Sequence, residues 1–414
     1  MRRAALVLGL AILCAGSGCT SQREGAADVR APVILLSFDG WRWDYHTKAP
    51  APNLRSLMAR GVRAENLIPS FPPKTFPNHY TIVTGLYPGH HGIVANSILD
   101  PATGRTFATT KVEEVRDPMW WGGEPIWVTA QRQGRITASM FWVGTEAPIG
   151  GVLPRYWKAY DENYPPNDRV DQVLQWLELP AAERPTFVML YFSDTDSAGH
   201  DDGPDSQAVR DAIVRADGYL GRLLRGLEQR GLTERVNIVV VSDHGMAEVS
   251  PDRVVVLDDY ISLEDVEISD INPGVGLFPK SGKEEQVYRA LVNAHPRLHV
   301  YRRDMTPETW HYRRDHPRIP PIVGVADEGW QVLRRSTMAE IRAGRISAAR
   351  GQHGYDPALM SMRGVFVAAG PAFKRGVTVP AFENIHIYNA LAQVLGVTPA
   401  ANDGDPAVAR SLLR

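Results

Sequence analysis

Cysteine is nearly absent. The chain of 414 residues holds two, Cys14 and Cys19, both in its first twenty positions. That excludes a disulfide framework for everything that follows, so stability has to come from an apolar core and bound ions. An excess of one charge is missing too: 45 Lys and Arg against 47 Asp and Glu leave a net charge of −2. So balanced a chain has no surplus of cations to neutralise the phosphates of polymeric nucleic acid, and any phosphate chemistry has to be local. No apolar run approaches the roughly 20 residues of a comfortable membrane span, and no internal repeat or low-complexity tract is evident. What is present is 44% apolar residues, enough for a substantial core in one large domain or two ordinary ones.

The N-terminus, MRRAALVLGLAILCAGSGCTSQ, sets two arginines before a short apolar run and a stretch of small residues, the pattern of an export signal. Small residues ending at Cys19 resemble a bacterial lipoprotein cleavage site, although Gly16 stands where such sites usually carry Leu. The expectation is a signal peptide over 1–19, a polar tether over 20–30 and a folded domain over 31–414. The protein would be exported to the periplasm and attached to the membrane through lipidated Cys19, with simple secretion as the alternative.

Short apolar runs then recur: PVILLSFDG (Pro32 to Gly40), RITASMFWV (Arg135 to Val143), TFVMLYFSD (Thr186 to Asp194), VNIVVVSDHG (Val236 to Gly245) and GVFVAAG (Gly364 to Gly370). Each reads as a buried strand. Helical patterns lie between them at Pro52 to Arg60, Asp168 to Leu177, Ser206 to Arg230 and His386 to Leu395. Alternation of this kind predicts an α/β domain with a largely parallel sheet covered on both faces, whose ligands gather at the carboxyl ends of strands. From about 252 to 351 the chain is rich in charge and proline without clear rhythm, and is expected to form an inserted subdomain.

Acids and histidines mark the strand ends. Asp39 follows the first strand in SFDG; Asp196 and His200 lie in DTDSAGHDDGP, which reads as a loop; Asp243 and His244 end VVVSDHG; His353 sits in GQHGYD. Each alone could be a turn residue or a solvated loop. Three Asp and three His in Gly-containing segments point instead to one shared site, because polar groups delivered by buried strands need partners. Carboxylate oxygens mixed with imidazole nitrogens suit Zn²⁺, or less exclusively Mn²⁺ or Fe²⁺. Six ligands divide into two groups of three. A further candidate is Thr75 in PPKTFPNHY: Pro77 suits the first turn of a helix over Asn78 to Thr84, leaving Thr75 near its N-terminus. There the hydroxyl could cap the helix or meet a phosphate, and a metal ion would activate it as a nucleophile.

Through FDGWR, KTFPNHYTIVTGLYPGHHGIVAN, DTDSAGH, SDHGM and HGYD, the chain resembles the nucleotide pyrophosphatase/phosphodiesterases of the alkaline phosphatase superfamily, in their bacterial form of a bare catalytic domain. The resemblance implies an alkaline-phosphatase-like α/β fold and two Zn²⁺ ions, one held by Asp39, Asp243 and His244 with Thr75, the other by Asp196, His200 and His353. It implies Thr75 as nucleophile, Asn96 on a phosphate oxygen, and Phe76 and Tyr191 around the base of a small nucleotide substrate, with Tyr160, Trp142 and Glu146 as further pocket residues. The expected reaction releases nucleoside 5′-monophosphates. A lipid-headgroup phosphodiesterase of the same family and an inactive zinc-binding lipoprotein are the alternatives. Lys74 either supports phosphate binding or points to solvent, the second being the expectation, and His79, His90 and His91 are expected to make structural hydrogen bonds.

Overall fold

The structure, a computed structural model, describes residues 31–313 and 316–414. The expected signal peptide, the tether and Cys19 lie outside the described residues. An eight-stranded sheet runs in the order Val377–Val379, Val62–Ala64, Phe366–Ala369, Asn237–Val241, Val33–Phe38, Phe187–Phe192, Thr137–Met140, Tyr156–Lys158. Its pairings are parallel except those of Phe366–Ala369, which is antiparallel to both neighbours.

Strand side chains alternate between faces, and here both faces are apolar. Val33 and Leu35 enter one core, Ile34, Leu36 and Phe38 the other. Helices Pro52–Arg60, Pro166–Glu178 and Gln207–Gln229 cover the second of these through Leu54, Leu57, Val170, Val173, Ile213 and Leu220. Thr75–Thr84, Ile126–Arg132 and Ile387–Leu395 cover the first through Tyr80, Ile82, Val83, Ile126 and Leu391. At roughly 1.5–3 kcal/mol per fully buried large aliphatic or aromatic side chain, these layers make the sheet a rigid mount for whatever its strand ends carry.

A second, antiparallel sheet joins Val266–Ile271, Gly274–Pro279, Ile322–Ala326 and Leu298–Arg302 in that order. It has a core of its own, including Val266, Leu277, Leu291, Val300 and Ile322. Ile322–Ala326 is buried throughout, but Val266–Ile271 and Leu298–Arg302 are buried only in part, and 3₁₀ turns fill the connections, so the sequence from 252 onward shows no plain rhythm despite this order.

Candidate active site

The helix bearing Thr75 starts three residues earlier than Asn78, at Thr75 itself. Lys74, extended at φ −129° and ψ 156°, is the N-cap residue and makes no side-chain cap bond. The preceding turn is held instead by the buried Asn78 amide, which accepts from Ser70 N–H (2.8 Å) and donates to the carbonyls of Pro72 (2.9 Å) and Lys74 (3.0 Å). Thr75 is thereby relieved of capping. Its Oγ1 lies 3.3 Å from Nε2 of His244.

Asp39 leaves the end of the first strand, and Asp243 and His244 follow the strand Asn237–Val241 beside it. Asp39 Oδ1 and Asp243 Oδ2 lie 3.4 and 3.0 Å from His244 Nε2. Asp196 and His200 are not in a loop: Asp194–Asp202 is an α-helix. Asp194 and Asp196 in its first turn complement the helix dipole, which offsets the poor helix propensity of the stretch, and the i, i+4 spacing puts Asp196 and His200 on one face. Gly40, at φ +63°, lets the two elements meet, since a Cβ there would lie 2.9 Å from the Asp196 Cα. His353 closes this second group, with Nε2 3.1 Å from His200 Nε2 and 3.7 Å from Asp196 Oδ1.

Hydrogen bonds fix what these imidazoles offer. Nδ1–H donates to a backbone carbonyl in each: Gly245 for His244 (2.9 Å), Gly351 for His200 (3.0 Å) and Pro73 for His353 (2.8 Å). Every Nε2 is left with a lone pair directed inward, and those of His200 and His353 face each other with no proton to share. Asp39 Oδ1, Asp196 Oδ1 and Asp243 Oδ2 are buried without a hydrogen-bond partner. Converging lone pairs and orphaned carboxylate oxygens repel one another unless cations lie between them, so the donors fit divalent metal ions with mixed N and O ligands. The two groups adjoin, the His244 and His353 rings stacking at 3.6 Å and 12°. His79 also comes near Asp243, at 3.4 Å. Its Nδ1–H is turned to the Thr75 carbonyl (2.9 Å) and its Nε2 to the Ser37 hydroxyl (2.8 Å), so it braces the turn and has no lone pair left for a metal.

The electrostatics show the same crowding. Burial, then the carboxylates of Asp243 and Asp196, push the Asp39 carboxyl well above its usual range. Burial opposes charge on Asp243 as well, but His244 and His79, when protonated in the absence of an ion, hold it well below. Burial, with His244 and His200 beside it, keeps His353 neutral far below the ordinary imidazole range, the state a ligand needs.

A cavity of about 400 Å³ opens from Thr75 and Asn96 and is walled by Phe76, Trp142, Glu146, Tyr160 and Tyr191. Asn96 Oδ1 accepts the Phe76 N–H (3.0 Å), which leaves its NH₂ group free to donate. Two of the expected pocket residues line the cavity and also have partners within the protein. Tyr191 is only 9% exposed and donates its hydroxyl to Asp39 Oδ2 at 2.5 Å, so it braces a metal-ligand candidate; Tyr160, 49% exposed, presents the open ring. Glu146 is already engaged, accepting from Tyr160 N–H (2.8 Å) and from the Arg116 guanidinium (2.8 and 3.0 Å), and thus shapes the pocket through those partners. Trp142, a further lining residue, is buried and donates Nε1–H to the His79 carbonyl (3.3 Å). His90 and His91 do make structural bonds, to Asp403 (2.6 Å) and Thr81 (3.0 Å).

Two things escaped the sequence reading. Arg116 lines the cavity, and a lone Arg in a charged stretch gave no signal for it. Lys74 does not reach solvent: it is 5% exposed and ion-paired with Asp270 of the second sheet.

Known proteins share this arrangement of chain. The family model described as type I phosphodiesterase / nucleotide pyrophosphatase matches residues 33–356. The human ectonucleotide pyrophosphatase/phosphodiesterase family member 5 is 37% identical over 372 residues, covering 90% of this chain and 76% of that protein. The venom phosphodiesterase CdcPDE of Crotalus durissus collilineatus is 36% identical over 412 residues, 97% of this chain but 48% of its own length. Among solved structures, murine ectonucleotide pyrophosphatase/phosphodiesterase 5, as an inactive threonine-to-alanine variant in complex with AMP, superposes with a TM-score of 0.87 at 37% identity, covering 93% of this chain and 100% of that one. A family match across most of the chain, joined to this degree of identity and a common fold, means that the chain belongs to the type I phosphodiesterase / nucleotide pyrophosphatase family of hydrolases.

Proposed function

We propose that the chain hydrolyses phosphodiester and pyrophosphate bonds of small nucleotides, releasing nucleoside 5′-monophosphates through a phospho-threonine at Thr75, with two zinc ions as cofactors. The observation that carries this reading is the Thr75 hydroxyl: free of capping, 3.3 Å from Nε2 of His244, in the lining of an aromatic-walled cavity. Zinc held by Asp39, Asp243 and His244, and by Asp196, His200 and His353, would acidify the hydroxyl and neutralise charge on the phosphoryl and leaving oxygens.

The protein's own groups do the rest. Thr75 Oγ1, its proton released to solvent, forms the bond to phosphorus as the bond to the leaving oxygen breaks, giving the phospho-threonine and a leaving group that takes its proton from solvent where it needs one. Water then attacks the same phosphorus from the opposite side and restores the hydroxyl, so two inversions give net retention. The Asn96 NH₂, oriented by the Phe76 N–H on its oxygen, donates to a non-bridging phosphate oxygen. Phe76 and Tyr160 offer ring faces to the base, a contact that tolerates any base; the AMP bound by the murine relative is a ligand of that kind. Turnover of the p-nitrophenyl ester of thymidine 5′-monophosphate is the test. Thr75→Ala nearly abolishes it while bound zinc, measured on the same sample, is retained; near wild-type turnover by that variant overturns the nucleophile, and preference for p-nitrophenyl-phosphocholine overturns the nucleotide.

A further inference from the structure

The residue before Thr75 is an ion where none is expected. Lys74 is 5% exposed, and its ammonium pairs with Asp270 and reaches the Asn272 carbonyl at 3.3 Å. Asp270 is aimed there by a β-bulge: Ile268 and Asp270 pair with the consecutive residues Leu277 and Gly276, so Ser269 is the extra residue that turns the strand. Asn272 is itself tied down, donating to Gln331 Oε1 (3.2 Å) and accepting from Val332 N–H (3.3 Å). The Lys74 stem also fills the space beside Gly354, where a Cβ would lie 3.0 Å from Lys74 Cε, and Gly354 directly follows His353. His353 in turn is oriented by the carbonyl of Pro73, the residue before Lys74.

One side chain therefore touches three things: the turn carrying the nucleophile, the loop carrying His353, and the second sheet. We propose that Lys74 and Asp270 are a positioning pair through which the second sheet sets Thr75 and His353 in register with each other. Lys74 is then no phosphate ligand, because its charge is spent on Asp270 inside the protein. The pair acts on kcat, since it governs where Oγ1 stands relative to phosphorus and leaves the walls that hold the nucleotide, Phe76 and Tyr160, untouched. A misplacement of about 1 Å in an attacking atom is enough to cost roughly a hundredfold in rate.

This inference rests on the reading of Thr75 as nucleophile, so Thr75→Ala is assayed beside it. The variants are Lys74→Met, Asp270→Asn and the two combined, each measured for kcat and KM on the p-nitrophenyl ester of thymidine 5′-monophosphate and on ATP, for bound zinc, and for Tm with and without chelator. The expected result is a kcat lower by about tenfold or more in both single variants, KM within about twofold for both substrates, and a double variant no worse than the poorer single one, as befits groups that act as a unit. The zinc-dependent gain in Tm shrinks with them, because His353 loses its register. Wild-type kcat in both single variants overturns the pair, as does an additive loss in the double variant. A loss carried by KM, and larger for ATP, also overturns it, by making Lys74 a phosphate ligand. Activity in Thr75→Ala instead sinks the nucleophile reading, leaving the effect of the pair on zinc-dependent Tm as its separate measure. If Lys74→Met does not fold, Asp270→Asn, which keeps shape and a hydrogen-bond acceptor, decides the question.

Discussion

The two ligand groups are built from the same residue types, yet their mounts differ. Asp39, Asp243 and His244 leave adjacent strands of the central sheet and are at most 1% exposed. Asp196 and His200 ride a nine-residue helix, with side chains 18% and 29% exposed, and His353 sits in a loop. Strand ends packed between two apolar layers hold their side chains whether or not an ion is bound. The helix and loop depend more on carbonyls from distant segments, those of Gly351 and Pro73, and on a shared cation to keep two imidazole lone pairs 3.1 Å apart. On the proposed two-ion reading, one half of the centre would be preorganised by the core and the other completed by binding.

The strongest attempt to break this contrast is a pair of substitutions. Asp243→Ala removes a buried carboxylate that also accepts the Gly40 N–H at 3.2 Å, and turnover is expected to fall well beyond the roughly 10–100-fold typical of a residue that merely supports a ligand. His200→Ala is expected to lower bound zinc by one equivalent and leave the strand-borne ion in place; loss of both ions from His200→Ala would erase the distinction. Next in size is stepwise release of metal. Titration with a chelator, followed by zinc analysis and Tm, should strip the more exposed group first with a small fall in Tm and the buried group later with a larger one, whereas a single release step contradicts the ranking.

The smallest effects separate the two tyrosines. Tyr160→Ala is expected to raise KM by roughly 5- to 150-fold, the equivalent of about 1–3 kcal/mol of base stacking, with kcat largely kept. Tyr191→Phe deletes only the hydroxyl on Asp39 and should lower kcat by about tenfold with KM unchanged. A rise in KM from Tyr191→Ala comparable to that from Tyr160→Ala would return that ring to the base pocket.

Much of this was legible in the chain itself. Runs such as VILLSF and NIVVV are almost wholly apolar and buried at every position because both faces of a parallel sheet are covered, and Asp39, Asp243 and His244 were visible because an acid or histidine directly after such a run has nowhere bland to go. Other features were hidden for physical reasons. DTDSAGHDD has the composition of a loop, and only its packing and the dipole interaction of its first-turn acids make it a helix. Lys74 reads as a surface lysine because Asp270, its partner, is 196 residues away on a bulged strand. Tyr160 and Tyr191 look interchangeable until the hydroxyl of one is found on Asp39.

By itself the sequence determined which atoms are available: three carboxylates, three imidazoles, a hydroxyl and aromatic rings, in an order that lays out an α/β sheet. Tertiary structure alone decided which way each points. A histidine becomes a ligand or a brace according to which of its nitrogens meets a carbonyl, and for His353 that carbonyl belongs to Pro73, 280 residues earlier. Local preference cannot encode a hydrogen bond of that span; it forms only when the packed layers bring the two segments together.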